Sequence, residues 1–178
     1  RLEYRGYDSA GIATLINGDI KRRRAEGKLT ELDALIQDQP LGGRIGIGHT
    51  RWATHGVPNT VNAHPHSTSL VALVHNGIIE NYLPLRAELE SAGHSFKTET
   101  DTEVVLGLVH EYLRQGMSPQ ESTIEMLKRV EGAFALGIIF SGYDDLLIGA
   151  RRGCPLVVGY GEGEMFLASD ALALASFT

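Results

Sequence analysis

The sequence predicts an α+β fold, mainly antiparallel sheet covered by helices. Two observations lead there. Short apolar runs of β type recur along the chain, at Ala10–Ile16, Arg44–Gly48, Leu70–His75, Ala133–Phe140, Leu146–Ala150, Leu156–Gly159 and Met165–Ala168. Their order with the helical segments is strands, a helix, strands, two or three helices, then strands. That order lacks the strict alternation of a doubly wound parallel sheet. The 178 residues fit one domain, 1–178, able to bury about two-thirds of its unfolded surface.

Each element has a local cause. Asn17-Gly18-Asp19 marks a hairpin, because Asn-Gly tolerates the positive φ of a tight turn. Lys21–Arg24, four cations in a row, reads as a solvated edge strand kept soluble by charge. Thr30-Glu31-Leu32-Asp33 opens a helix that ends before Pro40, and Asn81 caps one that runs to Gly93. Thr100-Asp101-Thr102-Glu103 reads as a capping box ahead of Val104–Leu113, with Gly116 as the stop. Ser118-Pro119-Gln120-Glu121 is a second box with proline in the first turn. Leu127 and Val130 continue that helix's apolar face. Tyr143-Asp144-Asp145 turns the chain between Phe140 and Leu146.

Composition narrows the function. Sixteen Lys and Arg stand against 22 Asp and Glu, a net charge of −6, which argues against nucleic acid as the main partner. No apolar run approaches the ~18 residues of a membrane span. A single cysteine cannot form an internal disulfide and fits a reducing cytosol, so the expected location is cytoplasmic. The chain opens on Arg1 and closes on Ala175-Ser-Phe-Thr178, which reads as a piece of a longer gene product.

Chemistry concentrates in a few segments. Gly48-His-Thr-Arg-Trp-Ala-Thr-His-Gly56 follows a buried strand and holds Arg51, Trp52, Thr54 and His55, with the chain's one tryptophan. Val74-His-Asn-Gly-Ile-Ile-Glu-Asn81 sets the Asn76 amide beside the Gly77 backbone, a pair of donors suited to an oxyanion hole, although a plain Asn-Gly turn has the same sequence. In Thr98–Glu103, Asp101 suits a helix start, or an ammonium group. With Arg51 it would accommodate a zwitterion such as an α-amino acid. His64 and His66, in Asn62-Ala-His-Pro-His66, are compatible with metal, yet no helical His spacing accompanies them. Structural hydrogen bonding is the expected role, so neither a metal nor a cofactor is assigned. Cys154 lies at a strand start with no histidine near in sequence and reads as inert.

Taken together, these segments resemble the glutaminase half of the glucosamine-6-phosphate synthase family, the isomerising glutamine–fructose-6-phosphate aminotransferases, which are class II glutamine amidotransferases. The stretches that carry the resemblance are Leu2-Glu-Tyr-Arg-Gly-Tyr-Asp-Ser-Ala-Gly11, His49–Gly56, Asn62–His66, His75–Asn81, Glu99–Glu103 and Ala168-Ser-Asp170, in order along the chain. The resemblance implies an N-terminal-nucleophile hydrolase fold, a four-layer sandwich of two mainly antiparallel sheets between helix layers, here without its first strand. It implies hydrolysis of L-glutamine to glutamate and ammonia. A C-terminal sugar-phosphate isomerase domain of the same polypeptide would use the ammonia to make glucosamine 6-phosphate from fructose 6-phosphate, with the full-length protein a homodimer.

Carried over residue by residue, Arg51 would hold the glutamine carboxylate and Asp101 its ammonium. Thr54 and His55 would line the pocket, and Trp52 the mouth of an ammonia channel. Asn76 and Gly77 would stabilise the oxyanion, while Arg5 and His64 would support the site. The family's nucleophile is an N-terminal cysteine, which the resemblance places upstream of Leu2. Cys154, lacking a free α-amine, cannot replace it. This chain alone is therefore expected to be inactive, and less stable for an unpaired sheet position. Two alternatives are an amino-acid-binding regulatory module without catalysis, and a metal-dependent hydrolase built on His64 and His66.

Overall fold

The computed structural model describes residues 2–178. After a short 3-10 turn at Glu3–Arg5 come strands β1 (Ser9–Ile16) and β2 (Asp19–Glu26), helix α1 (Leu29–Asp38), and strands β3 (Gly46–Arg51), β4 (His66–Ser67) and β5 (Val71–Ile79). Helices α2 (Tyr82–Ser91), α3 (Thr102–Arg114) and α4 (Pro119–Arg129) follow. The chain ends with β6 (Gly132–Phe140), β7 (Leu147–Arg152), β8 (Val157–Tyr160), β9 (Met165–Ala168) and the one-turn helix α5 (Ala171–Leu174).

The strands form three antiparallel sheets, ordered β2-β1-β3, β4-β5-β6-β7 and β8-β9. Strands β5 and β6 pair over their whole length, from Val71↔Phe140 to Ile79↔Gly132. Both are buried on two faces, so they read as continuous apolar runs rather than alternating ones. Val71, Leu73, Ile79, Phe134, Leu136, Ile138 and Phe140 face α2–α4 and pack with Leu85, Leu89, Val104, Val105, Leu108 and Met126. On the opposite face Ala72 and Ile139 meet Ala13, Leu15 and Ile47 of the first sheet. Helix α1 lies against β1 and β2. The layer order is therefore helix, sheet, sheet, helices, the sandwich the resemblance implied.

The hairpin and the second capping box form as the sequence predicts. Asn17 and Gly18 take φ of 54° and 82° between the paired residues Ile16 and Asp19. Ser118 Oγ accepts from the Glu121 N–H at 3.2 Å, and the Glu121 carboxylate accepts from the Ser118 N–H at 2.9 Å.

Other helix starts differ. Helix α1 begins at Leu29, whose N–H donates to the Tyr7 hydroxyl at 2.8 Å, so a distant tyrosine does the work expected of Thr30. Asn81 flanks α2 without capping it. Its side chain instead bridges the Arg129 carbonyl and the Glu131 N–H, each about 2.8–2.9 Å away. The box expected at Thr100–Glu103 does not form. Asp101 is the residue before α3, and its carboxylate accepts from the Ile79 N–H at 2.8 Å, while Glu103 accepts from Lys97 and Thr98 N–H at 3.0 and 2.7 Å. Tertiary donors outcompete the local ones because β5 and the 97–98 segment pack directly beside the helix start.

Phe134 has no exposed surface and sits in the core between the second sheet and the helices. Phe134→Ala is expected to cost about 3–5 kcal/mol, because a cavity is added to the lost transfer energy. Urea denaturation followed by circular dichroism measures it, and a loss below about 1 kcal/mol would contradict this packing.

Candidate functional site

Alternation along two strands builds the site. On β3, Ile47 faces the second sheet, so His49 and Arg51, two and four residues on, share that face. On β5, Ala72 faces the first sheet, so Val74 and Asn76 do too, while His75 turns toward the helices. Asn76 and His49 thus meet in the gap between the sheets, Asn76 Oδ1 lying 2.8 Å from His49 Nε2. Gly77 follows at φ +120°, a conformation L side chains rarely adopt, and a Cβ there would run into the Ala133 carbonyl. Asn76-Gly77 is thus part of a paired strand and not a turn.

These groups open onto a cavity of about 1110 Å³ whose walls carry every residue to which the resemblance gives a role, Arg5, Arg51, Trp52, Thr54, His55, His64, Asn76, Gly77 and Asp101, but not His66. His49, His75, Thr100 and Thr102 join them. Trp52 is 70% exposed at the rim, its ring against Gly6. Cys154, half-buried, also lines the wall.

Arg51 is only 3% exposed. Its guanidinium donates to the carbonyls of His55, Gly56 and Val57, and Nη1 lies 3.7 Å from Asp8 Oδ1. The cation thereby wraps the 55–57 loop around itself. Burial lowers its pKa, and the carboxylates of Asp8, Asp101 and Glu99 oppose that. Asp8 also accepts from the Ala53 N–H at 2.6 Å. Asn62 ties the loop to the segment before α3, donating to the Val57 carbonyl and to Glu99, each at 3.0 Å, and accepting from the Glu99 N–H at 3.1 Å.

The run Lys21–Arg24 corrects the expectation of a solvated edge. Arg22 donates to the Pro65 carbonyl at 2.9 Å, and Arg24 to those of Val61 and Ala63 at 2.9 and 2.6 Å. Desolvation lowers the Arg24 pKa to about 10. Only Lys21 keeps the solvated role. The edge of the first sheet therefore clamps the loop that carries His64 and His66.

Behind the cavity lies a layer of histidines. The His49 and His64 ring centroids are 4.6 Å apart, as are those of His64 and His66. The Thr102 hydroxyl bridges His64 Nε2 at 3.0 Å and His75 Nδ1 at 2.9 Å, and Thr100 holds His66 at 3.2 Å. Removal from water pushes the pKa of all four rings down, to about 4 for His49. For His75 the neighbouring Asp101 opposes the shift. His64 and His66 make hydrogen bonds to threonines here, and no group of three or more His, Cys, Asp or Glu able to hold a metal occurs among the described residues.

Arg5 reaches the far end of the chain. It donates to Ser169 Oγ at 3.0 Å and pairs with Asp170 at 2.7 Å, and the Tyr4 hydroxyl donates to the same carboxylate. These bonds, with the Leu172 N–H, hold the Asp170 pKa down to about 2. What Arg5 supports among the described residues is the Ala168-Ser169-Asp170 stretch, so the first and last segments of the resemblance meet in space.

Sequence reading passed over His49, Asp8, Asn62 and Thr102. The period-two spacing Ile47, His49, Arg51 was the available signal for His49. The others act through long-range bonds that leave no local pattern.

The histidine layer makes stability depend on pH. Burial disfavours the charged form of each ring in the folded chain, whereas in the unfolded chain it takes a proton near its ordinary value of 6.5. Below that pH the unfolded state binds more protons, so stability falls with pH, by about 1.4 kcal/mol per unit for each fully suppressed ring. For His49 the loss continues to about pH 4. Urea midpoints should therefore drop steeply from pH 6.5 to about 4, and His66→Asn should flatten the slope. A profile level across that window would contradict burial of neutral rings.

The geometry can be set beside known proteins. The family pattern described as glutamine amidotransferase domain matches residues 49–176. A glutamine–fructose-6-phosphate aminotransferase [isomerizing] of Mesorhizobium japonicum is 62% identical over all 178 residues, which cover 29% of its length. That of Brucella abortus is 64% identical over the same 178 residues, again 29% of its length. The chain thus spans under a third of the curated relatives it matches. Among solved structures, a glutamine phosphoribosylpyrophosphate amidotransferase from B. subtilis, complexed with ADP and GMP, superposes with a TM-score of 0.80 at 28% identity, over 98% of this chain and 38% of that one. A second, described as the allosteric regulatory enzyme of purine biosynthesis, gives 0.83 at 28% identity and the same coverage. With the matched pattern spanning most of its length and the sandwich shared with solved amidotransferases, the chain belongs to the glutamine amidotransferase domain family.

Proposed function

We propose that residues 1–178 form the glutaminase domain of a glutamine–fructose-6-phosphate aminotransferase. The domain hydrolyses L-glutamine to glutamate and ammonia. A C-terminal sugar-phosphate isomerase domain of the same polypeptide uses the ammonia to convert fructose 6-phosphate into glucosamine 6-phosphate. The full-length protein is a cytoplasmic homodimer. Among the described residues no helix is long and apolar enough to cross a membrane.

One observation carries this function. A buried cation, a buried carboxylate and an Asn-Gly pair line a single cavity, and each has a counterpart charge in one amino acid and its reacting amide. Arg51 binds the α-carboxylate and Asp101 the α-ammonium. Thr54, His55 and Trp52 enclose the side chain. A cysteine thiolate, from the longer polypeptide upstream of Leu2, attacks the amide carbon. The carbonyl π pair moves onto oxygen, where the Asn76 amide and the Gly77 N–H hold the negative charge. Collapse breaks the C–N bond, the nitrogen takes a proton and leaves as ammonia, and a thioester remains. Water then releases glutamate and regenerates the thiol. Cys154 stands in the cavity wall but has no free α-amine to carry the proton, and takes no part.

Glutamate release by the full-length gene product tests this, with the 178-residue chain as control. The full-length protein is expected to turn over and the control not. Asn76→Ala is expected to lower kcat by roughly 10²–10³ with little change in KM. Arg51→Ala and Asp101→Ala should chiefly raise KM. A folded full-length protein that binds glutamine without hydrolysing it would instead be an amino-acid-binding regulatory module. Release by the control that Cys154→Ala abolishes would overturn the upstream nucleophile.

A further inference from the structure

We infer that His49 is a positioning residue for Asn76: its Nε2–H holds Asn76 Oδ1 and thereby turns the amide nitrogen toward the cavity. The contact of 2.8 Å joins His49 Nε2 to an amide oxygen, and an amide oxygen only accepts. The proton must therefore sit on Nε2. A neutral imidazole has one N–H, so Nδ1 is bare. The surroundings agree, because Nδ1 is sealed from solvent and has no hydrogen-bond partner. The His75 backbone carbonyl also lies close enough to the ring to favour its protonation, although Nδ1 completes no hydrogen bond to it. The other tautomer would leave Nε2 without a proton to donate across the 2.8 Å contact to Oδ1.

It would also change the site. A bare Nε2 facing Oδ1 sets two acceptors against each other, and rotating the Asn76 amide relieves this. The rotated amide presents its oxygen to the cavity, an acceptor where a developing oxyanion needs a donor. The location of one proton thus decides which end of Asn76 faces the substrate.

The frame around His49 keeps the ring in register. Its strand pairs through Gly11, where a Cβ would run into the His64 carbonyl, so the backbones approach closely. The His64 ring lies against His49 at 4.6 Å and 31°, and is itself held by Thr102. The ring makes its one side-chain hydrogen bond through Nε2 to Asn76, and a flipped ring would give that contact up. Asn76 Nδ2 makes no hydrogen bond among the described residues, which leaves it available to the cavity.

The kinetic consequence rests on the glutaminase function proposed above, whereas the tautomer does not, so the experiment has two arms. In the full-length gene product labelled with 15N-histidine, the His49 ring is assigned by its loss in His49→Gln. Its spectrum at neutral pH should show a protonated Nε2 and a bare Nδ1. A protonated Nδ1 with a bare Nε2 would overturn the inference whether or not glutamine is hydrolysed. In the kinetic arm, His49→Phe should lower kcat by up to roughly 10²-fold and leave KM for glutamine within about twofold. His49→Gln, whose amide can still donate to Oδ1, should recover part of the loss. In an Asn76→Ala background His49→Phe should cost nothing further, because the group it positions is gone. Losses that multiply in the double variant, with thermal melts showing both folded, would mark His49 as merely structural and overturn the role. Absence of turnover in the unmodified protein would remove the glutaminase function and leave the tautomer to be decided by the spectrum.

Discussion

The pairing of β5 with β6, buried on both sides, is the constraint on which the rest of the molecule depends. A strand between a helix layer and a second sheet must be apolar in both directions, and β5 is, through Val71, Ala72 and Leu73. Once its register is fixed over nine residue pairs, alternation leaves no freedom at its far end. His75 must face the helices and Asn76 the gap. A slip of one residue would exchange them, turning Asn76 toward the helices and away from His49, and would swap the larger side chains facing the helices with the smaller ones facing the first sheet. The polar chemistry is thus placed by hydrophobic burial some five residues away.

The loop from Trp52 to His64 forms one wall of the cavity without regular structure, and its order comes from polar groups buried beneath it. Arg51 takes three of its carbonyls, Asn62 bonds at both ends to the segment before α3, and Arg22 and Arg24 reach in from the sheet edge. Such bonds to charged groups contribute roughly 1.5–3 kcal/mol each when the alternative is an unpaired buried atom. A loop held this way is rigid where its carbonyls are gripped and open where they are not, which suits Trp52 and Thr54 at the rim.

Much of this was legible in the residues, and the failures share a cause. Apolar runs gave most of the strands to within a few residues, because a doubly buried strand such as β6 has little else it can be. Asn17-Gly18 and Ser118–Glu121 formed as read because each is complete within four residues. Thr100–Glu103 looked equally complete and was not: Ile79 and the 97–98 backbone offered donors that no local pattern displays. Lys21–Arg24 looked solvated because a run of four cations suits an exposed edge, yet Arg22 and Arg24 find carbonyl partners some forty residues on. The segments holding Arg51, Asn76 and Asp101 were recognisable one by one. Their convergence required the sheet register, and His49 drew no notice because its partner lies 27 residues away.

The electrostatics of the cavity follow from the same packing. A cation at Arg51 and a carboxylate at Asp101 are both nearly sealed from water, and each is partly balanced by fixed neighbours: Asp8 and loop carbonyls for one, the Ile79 N–H for the other. The histidines between them are held neutral by the absence of water, so they add dipoles and no net charge. Charged rings would have repelled Arg51 and pulled Asp101 away from any ammonium it could bind. Neutral rings can instead be aimed. An N–H pointing at an amide oxygen polarises that amide and strengthens its own N–H as a donor. A dipole fixed by a sheet need not reorganise when charge develops nearby, which is where preorganised donors gain over water. The low pKa that makes the histidine layer a liability to the fold in acid is therefore the same property that keeps its dipoles fixed and uncharged at neutral pH.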